Sequence, residues 1–290
     1  TFNNGTWVQT GQDIDGEAEY NNSGVSVSLS ADGTIVAIGA TGNAGNGNYS
    51  GHVRVYTFNN GTWVQTGQDI DGEAASDNSG TSVSLSADGS VVAIGAMGND
   101  GNGSTSGHVR VYTFNNGTWV QTGQDIDGEA ASDYSGGSVS LNADGTVVAI
   151  GADGNDGNGT ESGHVRVYNF DNDNNTWVQT GQDIDGEAEY DFSGGSVSLS
   201  ADGTIVAIGS IQMNGKGQVR VYSYYNSAWV QIDQDIDGEA VGDYFGRSVS
   251  LSADGTIVAI GADGNDGNGN SSGHVRVYES SLSNDSDGDG

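Results

Sequence analysis

The sequence predicts an all-β fold, a single five-bladed β-propeller built from four-stranded antiparallel blades. Three observations predict it. The phrase Thr-Trp-Val-Gln-Thr-Gly-Gln-Asp-Ile-Asp-Gly-Glu-Ala, or a close variant, surrounds Trp7, Trp63, Trp119, Trp177 and Trp229. A repeat of about 56 residues is a supersecondary unit that cannot bury its own apolar face, so neighbouring copies must stack. A second phrase, Gly-X-Val-Arg-Val-Tyr, returns in step with the first at Gly51, Gly107, Gly163, Gly217 and Gly273. Finally, the 290 residues include 50 Gly and no Pro, and Val, Ile and Tyr fall in short runs. That pattern reads as many short strands joined by tight turns.

One repeat shows the elements in order. Ser82-Val83-Ser84-Leu85-Ser86 alternates with period two and reads as a half-buried strand, A. Ala87-Asp88-Gly89 is a turn, with Gly free to take positive φ. Val91 to Ala96 is a continuous apolar run suited to a strand buried on both faces, B. A Gly/Asn/Asp loop follows, then the alternating strand C from His108 to Tyr112. Asn115-Asn116-Gly117 is a second turn, and Trp119-Val120-Gln121 is strand D. Four antiparallel strands repeated radially make a propeller blade.

The chain opens on a strand D phrase at Thr1–Trp7 and closes its last repeat on a strand C phrase at His274–Tyr278. The N-terminal strand is therefore expected to complete the last blade and close the ring without an exposed edge. The propeller is assigned to residues 1–279, and residues 280–290 to a flexible acidic tail. The A–B and C–D turns fall at one end of the blades, the bottom. The B–C and D–A loops converge on the other, the top. Without an initiator Met, the chain reads as a processed product or an excerpt of something longer.

Charge excludes some partners. Net charge is −32, with seven Lys and Arg against 39 Asp and Glu. Nucleic acid needs cations to neutralise phosphates, so it is not an expected partner, nor is an anionic membrane surface. Such self-repulsion opposes compaction unless it is screened, and bound divalent cations are candidates. No Cys is present to indicate a redox compartment, and no stretch reads as a signal peptide or membrane span.

Tyr244-Phe245-Gly246-Arg247-Ser248-Val249-Ser250-Leu251-Ser252, followed by Thr256-Ile257-Val258-Ala259-Ile260-Gly261-Ala262, resembles the FG-GAP repeats of integrin-like β-propellers. Phe245-Gly246 corresponds to "FG" and Gly261-Ala262 to "GA". The other repeats have Ser-Gly in place of Phe-Gly, as at Ser79-Gly80, and Pro never follows Gly-Ala. The resemblance implies an extracellular adhesion or ligand-binding propeller. The family's calcium loops sit in the A–B hairpin, which is here only Ala-Asp-Gly, so those sites do not carry over.

Each D–A loop carries Asp-X-Asp-Gly-Glu: Asp13, Asp15, Glu17; Asp69, Asp71, Glu73; Asp125, Asp127, Glu129; Asp183, Asp185, Glu187; Asp235, Asp237, Glu239. Carboxylates at alternate positions around Gly can wrap a hard cation. Ca2+ needs about six to eight oxygens, so the B–C loops, with Asp153 and Asp156 or Asp263 and Asp266, would have to contribute. The competing reading is a solvated acidic surface whose Asp and Asn residues cap turns. The tail Asp285-Ser286-Asp287-Gly288-Asp289-Gly290 matches the opening of a calcium loop, without its final acidic ligand.

Five of the seven basic residues, Arg54, Arg110, Arg166, Arg220 and Arg276, occupy one strand C position. They are expected between blades, paired with a carboxylate or carbonyl. His52, His108, His164 and His274 open the same strand and are expected to make structural hydrogen bonds, with metal ligation the alternative. The tryptophans are expected to pack between blades. Asn4, Asn60 and Asn116 begin Asn-Gly-Thr sequons, though Asn-Gly is itself a preferred hairpin turn. Symmetry breaks at the short fourth B–C loop, where Met213 and Lys216 replace acids; with Tyr244 and Arg247 they form a candidate ligand notch, or else mark repeat drift.

No unique nucleophile–base set is visible, so the expected function is non-enzymatic. It is an extracellular adhesion or recognition module that binds Ca2+ and a glycan or protein ligand. The alternative is a structural repeat subunit of a surface layer or filament, with self-association.

Overall fold

A computed structural model describes residues 2, 3, 5–213 and 215–280. It is an all-β, five-bladed propeller of antiparallel blades. Blade 2 is representative: strand A spans Ser82–Leu85, B Val91–Ala96, C His108–Asn115 and D Thr118–Gln121. The order A-B-C-D matches the sequence reading. One element was not anticipated: a two-residue strand, Ile126–Asp127, continues past D and pairs with the start of C, His108 opposite Asp127. Blades 1, 3 and 4 repeat it at Ile70–Asp71, Ile184–Asp185 and Ile236–Asp237. Ile goes inward and Asp outward by strand alternation, and this carries the acidic loop onto the edge of strand C.

Blades join through their sheets' inner faces and through backbone. Val53, Val55 and Ile70 of blade 1 pack with Val83, Leu85, Val92 and Ile94 of blade 2, and Trp119 covers the group. The A–B turns bond to one another in series, Ala31 N to Ala87 O, Ala87 to Ala143, Ala143 to Ala201 and Ala201 to Ala253. Gly95 explains the "Gly-Ala" of strand B. A Cβ there would collide with the carbonyl oxygen of Gly136 in blade 3. Trp177 donates from Nε1 to Thr122 O at 2.9 Å and packs on Gly123, where a Cβ would stand 2.8 Å from the indole. The tryptophans of blades 2, 3 and 4 are buried as expected. The Asn-Gly turns are also as expected, with positive φ at Asn60, Gly61, Asn116 and Gly117, as a type I′ hairpin requires.

Ring closure differs from the sequence reading. The N-terminal Thr6–Trp7 pairs with Phe2–Asn3, Phe2 opposite Trp7, in the register that Phe58 and Trp63 use. The fifth sheet has three strands among the described residues, Ser248–Leu251, Ile257–Ala262 and His274–Glu279. The N-terminal phrase forms its own hairpin, which uses the ladder that pairing with strand C would need. Both ends of the arc consequently present apolar surface. Val27 in blade 1 is 64% exposed where Val83 in blade 2 is 9% exposed, and Val275 and Val277 of blade 5 are exposed where Val53 and Val55 are buried. No helix among the described residues is long and apolar enough to cross a membrane.

Candidate functional site

The top face is assembled from loops of successive blades, and one arginine per blade stitches it. Arg110 rises from strand C of blade 2, beside the Tyr112 ring, and reaches back to the preceding D–A loop. There Nη2 donates to Asp71 O at 2.8 Å and Nη1 lies 3.5 Å from Glu73 Oε1. Arg54, Arg166 and Arg220 make the same pair of contacts with Asp15 O and Glu17, Asp127 O and Glu129, and Asp185 O and Glu187. Arg276 pairs with Glu239. The interblade pairing expected of these arginines is what the structure holds. B–C loops add a second stitch: Asn102 Nδ2 donates to Gly128 O at 2.8 Å in the following D–A loop.

The histidines sit beneath the same loops. His52 is 1% exposed, and its Nδ1 lies 3.9 Å from Glu17 Oε2, 3.9 Å from Asp69 Oδ2 and 4.0 Å from Asp71 Oδ1. His108 Nδ1 lies 3.9 Å from both Glu73 Oε2 and Asp127 Oδ1. These separations are too long for hydrogen bonds. Nδ1 of His52 and both ring nitrogens of His164 are buried with no hydrogen-bond partner. The expected structural hydrogen bond is therefore absent at those atoms. Burial pushes His52 below its ordinary pKa against the pull of Asp69 and Glu17. Burial, helped by the adjacent Arg110 or Arg166, pushes His108 and His164 down to about 4. At neutral pH these imidazoles are uncharged and hold a free lone pair. Among the described residues, three groups have donor atoms close enough together to hold a metal ion: Glu17, His52, Asp69; Glu73, His108, Asp125; and Glu129, His164, Asp183.

The five Asp-X-Asp-Gly-Glu motifs do not each converge on one point. The first Asp accepts from the Gln of strand D, Gln65 Nε2 to Asp69 Oδ1 at 2.6 Å, and likewise at Asp13, Asp125, Asp183 and Asp235. The Glu turns to the Arg. The second Asp faces the B–C loop: Asp71 Oδ1 and Asn43 Oδ1 lie 3.3 and 3.2 Å from the point a Gly45 Cβ would occupy. Asp127 with Asn99 at Gly101, and Asp185 with Asn155 at Gly157, repeat this. Burial first, then the charge of Asp69, Asp125 or Asp183, raises the pKa of Asp71, Asp127 and Asp185. Asp237 lies on the matching short strand opposite Gln218.

The B–C loop acids divide. Asp156 and Asp266 cap the amides of Glu161 and Ser271. Asp263 pairs with Arg247 at 3.4 Å. Burial raises the pKa of Asp153. Sequence reasoning missed Asp77, Asp133, Asp191 and Asp243, which are buried and tie the loops together. Asp133 Oδ2 accepts from Glu129 N, Ala130 N and Asn155 Nδ2. Their fixed place four residues after each Glu was the available signal.

At the candidate ligand notch, Lys216 O accepts from the Phe245 amide and Tyr244 O from the Arg247 amide. Phe245 is fully buried in the blade 4–5 core. Arg247 lines a cavity on blade 5 with Ser248, Ala262 and Val275. Met213 bonds through its amide to Tyr190 O instead, and Met213 and Tyr244 are exposed. The sequon residues Asn60 and Asn116 are exposed. Asn4 and the acidic tail from residue 281 onward lie outside the described residues.

The FG-GAP repeat family matches residues 70–114 and 236–278, segments of blades 1–2 and 4–5. No curated protein matches the sequence. Solved propellers align over most of the chain. One is a provisionally assigned 6-phosphogluconolactonase from Bacteroides uniformis, 15% identical at TM-score 0.61, covering 90% of this chain and 68% of that one. Another is Kuenenia stuttgartiensis hydrazine synthase, 13% identical at 0.58, covering 93% and 66%. A third is the periplasmic gluconolactonase of Pseudomonas aeruginosa, 19% identical at 0.53, covering 83% and 64%. This chain thus spans about two thirds of their length. At these identities the likeness is one of fold.

Proposed function

We propose that this chain is an extracellular, non-enzymatic recognition module, an adhesion-type propeller. It engages a glycan or an extracellular protein on its acidic top face, with Ca2+ held in that face. The observation that carries this reading is the convergence of D–A and B–C loops. It brings Asp71, Asp127 and Asp185 beside the B–C loop glycines Gly45, Gly101 and Gly157, whose amides are capped by the side-chain oxygens of Asn43, Asn99 and Asn155. Converging carboxylates on a chain of net charge −32 suit a hard cation, and the cation offsets the charge of Asp69, Asp125 and Asp183 that, after burial, raises these aspartates. Glycans on the exposed Asn60 and Asn116 turns fit an extracellular location and leave the top face clear. The test is binding of the chain to arrayed glycans and extracellular proteins in Ca2+ and in EDTA. The reading expects a saturable, Ca2+-dependent ligand; binding that ignores EDTA, or none, removes it.

A second reading, self-association, draws on the apolar ends of the arc. Val27 and Leu29 at one end and Val275 and Val277 at the other are exposed copies of surfaces that bury one another between internal blades. Blade 5 of one copy against blade 1 of the next is a heterologous contact that propagates. Sedimentation velocity over a concentration series should show growing oligomers, suppressed by Val27→Glu with Leu29→Glu. A concentration-independent monomer discards this reading.

A further inference from the structure

The three histidine groups differ in chemistry from the all-oxygen loop acids beside them. In each, one carboxylate comes from the loop before a blade, the imidazole from the first residue of strand C, and the second carboxylate from the loop after strand D. The donor atoms lie within 4.8 Å of one another. The grouping recurs because backbone pairing fixes it: His52 lies opposite Asp71, and His108 opposite Asp127. A separate observation points to a ligand. His52 and His164 are buried, and Nδ1 of the first and both nitrogens of the second have no hydrogen-bond partner. His52 Nδ1 faces Glu17, Asp69 and Asp71, whose side chains are 43%, 32% and 43% exposed.

Ca2+ is held by oxygen, whereas an imidazole nitrogen with two carboxylates is a donor set for Zn2+ and its neighbours. Zn2+ accepts three protein ligands and leaves a further position to water. We propose that Glu17–His52–Asp69, Glu73–His108–Asp125 and Glu129–His164–Asp183 each bind a transition-metal cation of the Zn2+ class. Each ion staples a blade's strand C to the loops on both sides of it. Blade 4 is the natural contrast. Gln218 replaces His there, and its amide donates to Glu187 Oε2 at 3.5 Å. Among the described residues no such group forms at blade 4 or blade 5.

The test is equilibrium dialysis of the EDTA-stripped full chain against Zn2+ in a background of millimolar Ca2+, with bound metal counted by mass spectrometry. Co2+ serves as a second probe, because its visible spectrum reports nitrogen coordination. The expected result is three Zn2+ per chain, one for each group, undiminished by Ca2+. His52→Gln, which copies blade 4, should remove one equivalent. The triple variant H52Q/H108Q/H164Q should remove all three while circular dichroism stays that of the parent. Unchanged stoichiometry in the folded variants, displacement by Ca2+, or no Zn2+ uptake overturns the proposal. The probe is the metal alone, so absence of any macromolecular ligand leaves this result intact. Uptake of Ca2+ without Zn2+ would overturn the proposal while leaving the proposed function standing.

Discussion

Replacing Trp177 with Ala should remove one of the principal contacts between blades 2 and 3. The indole is 3% exposed. It lies 5.1 Å from the Phe170 ring, packs over Gly123, and donates to Thr122 O at 2.9 Å. An aromatic side chain buries about 150–250 Å2, which at about 25 cal/mol per Å2 gives roughly 4–6 kcal/mol as an upper figure. Buried Trp→Ala changes cost about 3–5 kcal/mol, so about 4 kcal/mol is expected. Trp177→Phe keeps most of the packing and loses the hydrogen bond, at about 1 kcal/mol plus a smaller cavity. Trp7 carries the same phrase but is 85% exposed, and Trp7→Ala should fall within about 0.5 kcal/mol of the parent. Urea unfolding, followed by circular dichroism at a shared m-value, reads all three. If Trp177→Ala shifts the midpoint no more than Trp7→Ala, the assignment of the repeated tryptophans as interblade packing is refuted.

Further outcomes follow from the same geometry. Gly95→Ala should cost about 3 kcal/mol or prevent folding, because the new methyl meets the Gly136 carbonyl. Gly137→Ala, whose nearest atom is 3.3 Å away, should cost well under that in the same urea assay. Arg166→Met should cost about 2 kcal/mol, since its buried guanidinium no longer bonds Asp127 O; a neutral result would mean that the stitch adds nothing. The Asp of the A–B turn makes an acid-side prediction. Hydrogen bonds from Ser252 and Thr256 hold Asp254 down at about 2 against an ordinary 3.8. A depressed folded pKa contributes stability above the ordinary value and loses it as pH falls from 3.8 towards about 2. Asp254→Ala should flatten melting temperature against pH across that window, and an unchanged slope would reject the cause.

Much of the fold was legible because the repeat states its rules five times. The alternation of Ser82–Leu85, the Asn116-Gly117 turn and the fixed Arg position each follow from local chemistry, and the structure keeps all three. Closure was not legible. Thr6–Trp7 pairs with Phe2–Asn3 in the local register that Phe114 and Trp119 use, so the opening phrase carries the end of a strand C as well as the strand D read from it. The acidic motif was legible, but the sharing of its carboxylates between neighbouring groups was not. On an extended stretch Asp69, Asp71 and Glu73 face different neighbours, so each cluster draws on two consecutive loops. The buried Asp77 and Asp133 looked like any other loop acids, since burial depends on the Asn of a distant B–C loop.

The claim that divalent cations are part of the folded top face is tested most directly by thermal unfolding of the full chain, first in excess EDTA and then in millimolar Ca2+. A ligand that binds only the native state raises the melting temperature by mass action. The account predicts a clear upward shift with Ca2+ that EDTA reverses. Coincident curves would contradict it and leave the acids as a solvated surface.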